Sequence, residues 1–157
     1  MLGRTYDEQV CSIARALEVL GERWTLLLVR DALLGLRRFE AFQQSLGVAR
    51  NVLTDRLKRL VDAGVLERTP YQDRPLRYEY RLTAMGHELA VPLIGLMHWG
   101  DRHLAGPAGP PMVVRHGACG GATRAGLTCT RCGDEVPLTD VRVEVRPAAD
   151  RRPAAAG

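Results

Sequence analysis

The chain has 157 residues, 46% of them hydrophobic and 25% charged, with a formal net charge of +4. That length suits one well-buried domain with a small appendage, and no apolar run is long enough to span a bilayer. The basic excess is compatible with a polyanionic partner but does not by itself name one. Lys58 is the only lysine, so 21 of the 22 cationic residues are arginine, and base composition of the genome can account for part of that bias. The segment Met1-Leu2-Gly3-Arg4-Thr5-Tyr6-Asp7 has no apolar signal-peptide core, so the expected location is the cytoplasm.

Residues 8–20 read as a first helix: Val10, Ile13, Ala14, Leu17 and Leu20 recur at helical spacing, Asp7 is a candidate cap, and Gly21 breaks the pattern. A second, more apolar helix is expected over 22–34, with Trp24, Leu27, Leu28, Val29 and Ala32 inside and Gly35 at its end. A short third helix follows over Glu40–Ser45, then a turn at Gly47 and a fourth helix from about Ala49 to Gly64. Phe39, Phe42 and Leu46 should pack on Leu53, Leu57 and Leu60. Two β-rich stretches, 65–71 and 77–82, flank Gln72-Asp73-Arg74-Pro75-Leu76 and predict a hairpin. Thr83 should cap a long helix reaching about His103 and kinked at Pro92. Leu89, Leu93, Ile94, Leu96 and Met97 make that helix apolar over a wider arc than one small domain can bury, so a second copy of the chain is the expected partner. Residues 105–112 are a linker by composition, 113–146 a second small unit, and 147–157 a disordered tail.

The fourth helix and the hairpin carry the functional signal. With Leu53, Leu57, Leu60 and Val61 inward, Arg50, Asn51, Thr54, Asp55 and Lys58 fall on the outer face. Arg pairs bidentately with guanine and Asn with adenine, and Thr offers polar or methyl contact. Arg56 and Arg59 lie on the flanks, where phosphate is the natural contact, and Arg74 and Arg77 at the hairpin tip can enter a minor groove or clamp the backbone. The competing reading is a solvated helix face. The order helix–turn–helix–hairpin favours DNA over that reading and makes residues 1–104 a winged helix-turn-helix domain, mainly α with a small β-hairpin.

The run from Cys11 to Asp31 (CSIARALEVLGERWTLLLVRD) resembles the opening of HxlR-type transcriptional regulators. So do Arg38-Phe39-Glu40-Ala41-Phe42, Asn51–Leu57 and Tyr80–Gly86. The resemblance runs from about residue 8 to 104. It implies a MarR-like winged-helix fold, helix four as recognition helix and residues 65–82 as wing. It also implies a homodimer joined through the first and last helices and a two-fold-related DNA operator. One departure stands at the start of helix four, where relatives often place Ser then Pro and this chain has Ala49-Arg50. In HxlR-type relatives a cysteine matching Cys11 frequently senses electrophiles, quinones or oxidants. Arg15 and the helix N-terminus could lower its pKa, and the plain alternative is a small buried hydrophobe.

The other three cysteines lie in the second unit. His116-Gly-Ala-Cys119-Gly and Cys129-Thr-Arg-Cys132-Gly are two copies of one pattern, ligand–x–x–ligand–Gly. That is the knuckle of a zinc ribbon, and four such ligands suit a closed structural Zn²⁺ site. A segment this short needs such a staple, and HxlR-type proteins with C-terminal extensions often carry similar knuckles. The alternatives are a metal-free hairpin or a Cys129–Cys132 redox pair. His87, His98 and His103 read as surface or interface residues of the last helix. No Ser–His–Asp order, phosphate loop or paired-carboxylate pocket appears, so the chain is not expected to be an enzyme. The reading is a homodimeric regulator acting on a palindromic double-stranded DNA operator, responsive through Cys11 or through a small molecule or electrophile at the dimer seam. Two other readings stay open: a metal- or redox-sensing regulator using the later Cys/His cluster, and a zinc-ribbon protein-interaction module.

Overall fold

A computed structural model describes Tyr6 and residues 11–144. Helix α1 spans Ser12–Leu20. The expected cap Asp7, the expected first turn at 8–10 and the expected tail at 147–157 lie outside the described residues. Helix α2 spans Thr25–Leu33 and α3 Phe39–Leu46. Helix α4 spans Arg50–Asp62. The antiparallel wing is made of β1, Leu66–Asp73, and β2, Leu76–Leu82, paired from Leu66↔Leu82 to Asp73↔Leu76 with a bulge between Pro70 and Gln72. Arg38 adds a single bridge to Glu79, and the Tyr80 N–H donates to the Arg37 carbonyl, which ties the wing to the α2–α3 connection.

The core lies where α2, α3, α4 and the base of the wing meet. Leu28, Val29, Phe42, Leu53, Leu57, Leu60 and Leu66 are almost wholly buried there, and Phe39, Leu46 and Val61 pack against it. Gly47 (φ 63°) and Gly64 (φ 74°) end α3 and α4 in the left-handed region, where a side chain is costly.

Three expectations need correction. Trp24 is not inside the second helix: it precedes α2 with φ 80°, and its half-buried ring packs on the core. Burial of a large ring offsets the order of 1 kcal/mol that this conformation costs. Ile13 and Leu17 keep helical spacing but are exposed, at 70% and 39%, and so is Leu27; none of the described residues covers their apolar face fully. The last helix is two helices, α5 over Ala84–Glu88 and α6 over Ala90–Leu104. Pro92 explains the break: it has no N–H to give the Glu88 carbonyl, and its ring crowds that carbonyl. The chain turns at Leu89, three residues before the proline itself.

Thr83 does cap α5: its hydroxyl oxygen accepts the Gly86 N–H at 3.1 Å. Beyond α6 come β3, Leu127–Thr128, paired with β4, Glu135–Val136, and a 3₁₀ turn at Leu138–Asp140. No helix among the described residues is long and apolar enough to cross a membrane.

Candidate nucleic-acid interface

Helix α4 turns one face to the core and the other to solvent, so its function follows from which side chains the second face carries. Arg50, Asn51, Thr54, Asp55, Lys58 and Arg59 are all exposed. Ala49 supplies no side-chain cap, so the first N–H groups of α4 stay open, and such a helix start attracts phosphate. Arg50 stands at this end with its guanidinium 4.7 Å from the centre of the Phe39 ring. Phe39 thereby holds the cation in place before any ligand arrives. The Thr54 hydroxyl donates to the Arg50 carbonyl at 2.8 Å, leaving its methyl group and an acceptor lone pair facing outward.

The flanks are less free than the sequence implies. The Arg56 side chain is only 16% exposed. It pairs with Glu22 at 2.8 Å, donates to the Arg23 carbonyl at 3.3 Å and reaches Asp55. It therefore clamps α4 to the α1–α2 turn and is not available to phosphate as expected. Arg59 pairs with Asp55 at 3.2 Å and sits 3.7 Å from Glu22, and Lys58 pairs with Asp62. These outer pairs are exposed and each contributes little to stability. At the hairpin tip Arg74 and Arg77 are exposed. Along the wing, guanidinium groups lie over rings: Arg38 over Tyr71 at 4.7 Å and Arg68 over Tyr78 at 3.9 Å. Sequence reasoning missed Arg38 and Arg68, although the Tyr and Arg alternation of the strands carried the signal.

Cys11 is exposed at the start of α1 within the described protomer. The Ala14 and then the Ile13 backbone N–H groups at the helix end hold its thiol below the ordinary cysteine pKa. The expected contribution of Arg15 is not among the causes. A hollow of about 360 Å³ opens between α1 and α6, and a second of about 690 Å³ lies between α2, α6 and residues 112–114, with Arg30 at its rim.

The four expected metal ligands come together as two pairs and not as one set. His116 Nδ1 lies 3.2 Å from Cys119 Sγ. Cys129 and Cys132 form the other pair, in which the Cys132 and Arg131 N–H groups and the Cys132 thiol lower the Cys129 pKa. Among the described residues no three His, Cys, Asp or Glu side chains gather around one point. Of the three histidines of α5 and α6, His98 accepts the Ala125 N–H at 3.2 Å, and His103 packs its ring beside Trp99 with centroids 5.3 Å apart.

Comparison with known proteins agrees with this geometry. The model of the HxlR-like helix-turn-helix family matches residues 19–107. An HTH-type transcriptional regulator of Mycobacterium tuberculosis is 46% identical over 136 residues, covering 87% of this chain and 86% of that protein. The crystal structure of PA1607, a candidate transcription factor, is 34% identical with a TM-score of 0.77, covering 88% of this chain and 97% of its own. The reduced form of the redox regulator HypR is 27% identical with a TM-score of 0.55, covering 59% of this chain and 92% of its own.

Proposed function

Because the chain belongs to the HxlR-like helix-turn-helix family, whose members are transcriptional regulators and not enzymes, we propose that it is a homodimeric regulator of a palindromic operator in the cytoplasm. Helix α4 is its recognition element, and the wing is its clamp on the phosphate backbone. The observation that carries this reading is the outer face of α4, where Arg50, Asn51 and Thr54 stand exposed beside an uncapped helix start. Arg50 supplies a pair of donors, and Asn51 a donor and an acceptor, for base edges. Arg74, Arg77, Arg38 and Arg68 supply cations for the flanking backbone. Footprinting on the DNA upstream of its own gene tests the reading. Arg50→Ala should cost about 1–3 kcal/mol of specific affinity and relax preference at one base pair. Unchanged affinity would remove α4 from the groove.

Two fixed half-sites need two protomers. Support for the dimer comes from α6, which has no buried residue within the protomer, and from Ile13, Val91 and Leu96, which leave an apolar face open along α1 and α6. The hollows beside this face offer an apolar effector a place to act on the seam.

The reading includes thiol control through Cys11. Its exposed sulfur and lowered pKa are what an oxidant or electrophile selects, and the similarity to a redox regulator adds to this. A lowered pKa means that the thiolate is populated at lower pH than for an ordinary thiol. Alkylation of Cys11 should accordingly persist as pH falls, after a free cysteine has slowed. Cys11→Ser should keep the reduced protein's DNA affinity and abolish its change on oxidation. An oxidant response that survives in Cys11→Ser would discard this sensor.

A further inference from the structure

Two stretches of the C-terminal unit fold into the same small hairpin. In the first, Arg115 pairs with Ala122, the His116 N–H donates to the Gly121 carbonyl at 2.8 Å, and the Gly120 N–H donates to the His116 carbonyl at 2.8 Å. In the second, Thr128 pairs with Glu135, the Cys129 N–H donates to the Asp134 carbonyl at 2.9 Å, and the Gly133 N–H donates to the Cys129 carbonyl at 2.9 Å. Gly120 and Gly133 hold the same left-handed turn, with φ 70° and 80°. Each donor of one hairpin thus has its counterpart in the other: His116 with Cys129, and Cys119 with Cys132. The match is in backbone pairing and hydrogen bonding as well as in letters.

Backbone pairing, a few hydrogen bonds and an exposed Arg124–Glu135 ion pair hold this unit, without an apolar core. From 113 to 144 no residue is buried, and Leu138 and Val143 are 80% and 88% exposed. A segment so short and so open needs a staple. We propose that the two hairpins are the halves of one structural zinc site, with His116, Cys119, Cys129 and Cys132 as its ligands. Three thiols and an imidazole form a borderline-soft, four-donor set, which tetrahedral Zn²⁺ prefers and redox chemistry does not require. On binding, the three thiols give up their protons to solvent and the sulfurs bind as thiolates. The resulting negative site has cations beside its ligands in the chain: Arg115, which donates to the Gly120 carbonyl at 2.9 Å, and Arg131.

The two pairs stand apart among the described residues, so one ion must draw the hairpins together through the connection 122–127. That connection is not free at both ends. The Ala125 N–H donates to His98 Nδ1 on α6, and the Ala125 methyl carbon lies 3.8 Å from where a side chain on Gly95 would begin. Loading the site therefore fixes the segment that rests on α6.

The test uses the full chain purified without chelator. Elemental analysis should find about one zinc per chain, and Co²⁺ exchanged into the site should give the strong visible bands of a tetrahedral thiolate complex. Cys119→Ser and Cys129→Ser should each abolish both signals and expose residues 113–144 to protease. The unfolding midpoint of residues 11–104 should not move. Less than about 0.2 zinc per chain together with a protease-resistant 113–144 would overturn the proposal. So would full zinc retention in Cys119→Ser, which would leave the second hairpin without its partner. A Cys129–Cys132 disulfide in the freshly purified protein, seen as a loss of two hydrogens by mass, would also overturn it. None of these outcomes depends on DNA binding.

Discussion

Gly86→Ala should lower the thermal unfolding midpoint by roughly 10 °C or more, although alanine is the better helix former by about 1 kcal/mol. Gly86 is buried in α5, directly over the base of the wing. A Cβ there would lie 2.2 Å from the Val65 carbonyl oxygen and 2.9 Å from Leu82 Cδ2. The leucine methyl can rotate away, but the carbonyl cannot. It accepts the Thr83 N–H at 3.1 Å, and the Thr83 hydroxyl donates to the neighbouring Gly64 carbonyl at 2.6 Å. Relief of the clash must shift the end of α4, the wing and the α5 cap together. We expect a loss of about 3 kcal/mol, the upper range for overpacking, since the obstacle is backbone. Circular dichroism melting measures it. An unchanged midpoint would mean that α5 does not rest on Val65.

Leu96→Arg should convert a dimer into monomers and lower operator affinity by about 100-fold or more, because the second half-site no longer binds at high effective concentration. Leu96 is 53% exposed and borders both hollows. In the separated protomer the arginine meets solvent, so the stability of the fold should change by no more than about 0.5 kcal/mol. In a closed seam it would bury a charge without a partner. Sedimentation equilibrium and a gel-shift titration read the two effects. A native protein that stays monomeric at micromolar concentration would contradict the seam, as would a Leu96→Arg dimer.

The parts legible in the sequence are those fixed by local periodicity and turn chemistry. The apolar row Leu53, Leu57, Leu60 predicts the inner face of α4, and therefore its outer face. Gly47, Gly64 and Thr83 mark ends that the structure keeps. Legibility fails where a decision depends on distant atoms. Arg56 has the spacing of a flank cation, yet Glu22 and the Arg23 carbonyl draw it inward from across the sequence. Ile13 and Leu17 have core spacing, but the described elements leave them exposed. The stacking of Arg50 on Phe39 and the bond from Ala125 to His98 join separate elements, and no local pattern announces either. The break at Leu89 was encoded by Pro92, but its position follows from the carbonyl that the proline leaves without a donor.

The clamp at Arg56 also bears on how binding should respond to ionic strength. A polyanion surrenders condensed counterions only to cations that reach its phosphates, and each such contact steepens the fall of log affinity with log salt by about 0.9. Counting residues along α4 would credit it with Arg50, Arg56, Lys58 and Arg59. Arg56 is half-buried among Glu22, Asp55 and a carbonyl, and Lys58 and Arg59 already have carboxylates beside them. On the proposed interface the helix should therefore release fewer counterions than its composition suggests, with most of the slope carried by Arg50 and the wing. If the proposed interface holds, the measured salt slope should therefore fall short of the slope expected from every cation on α4 and the wing together.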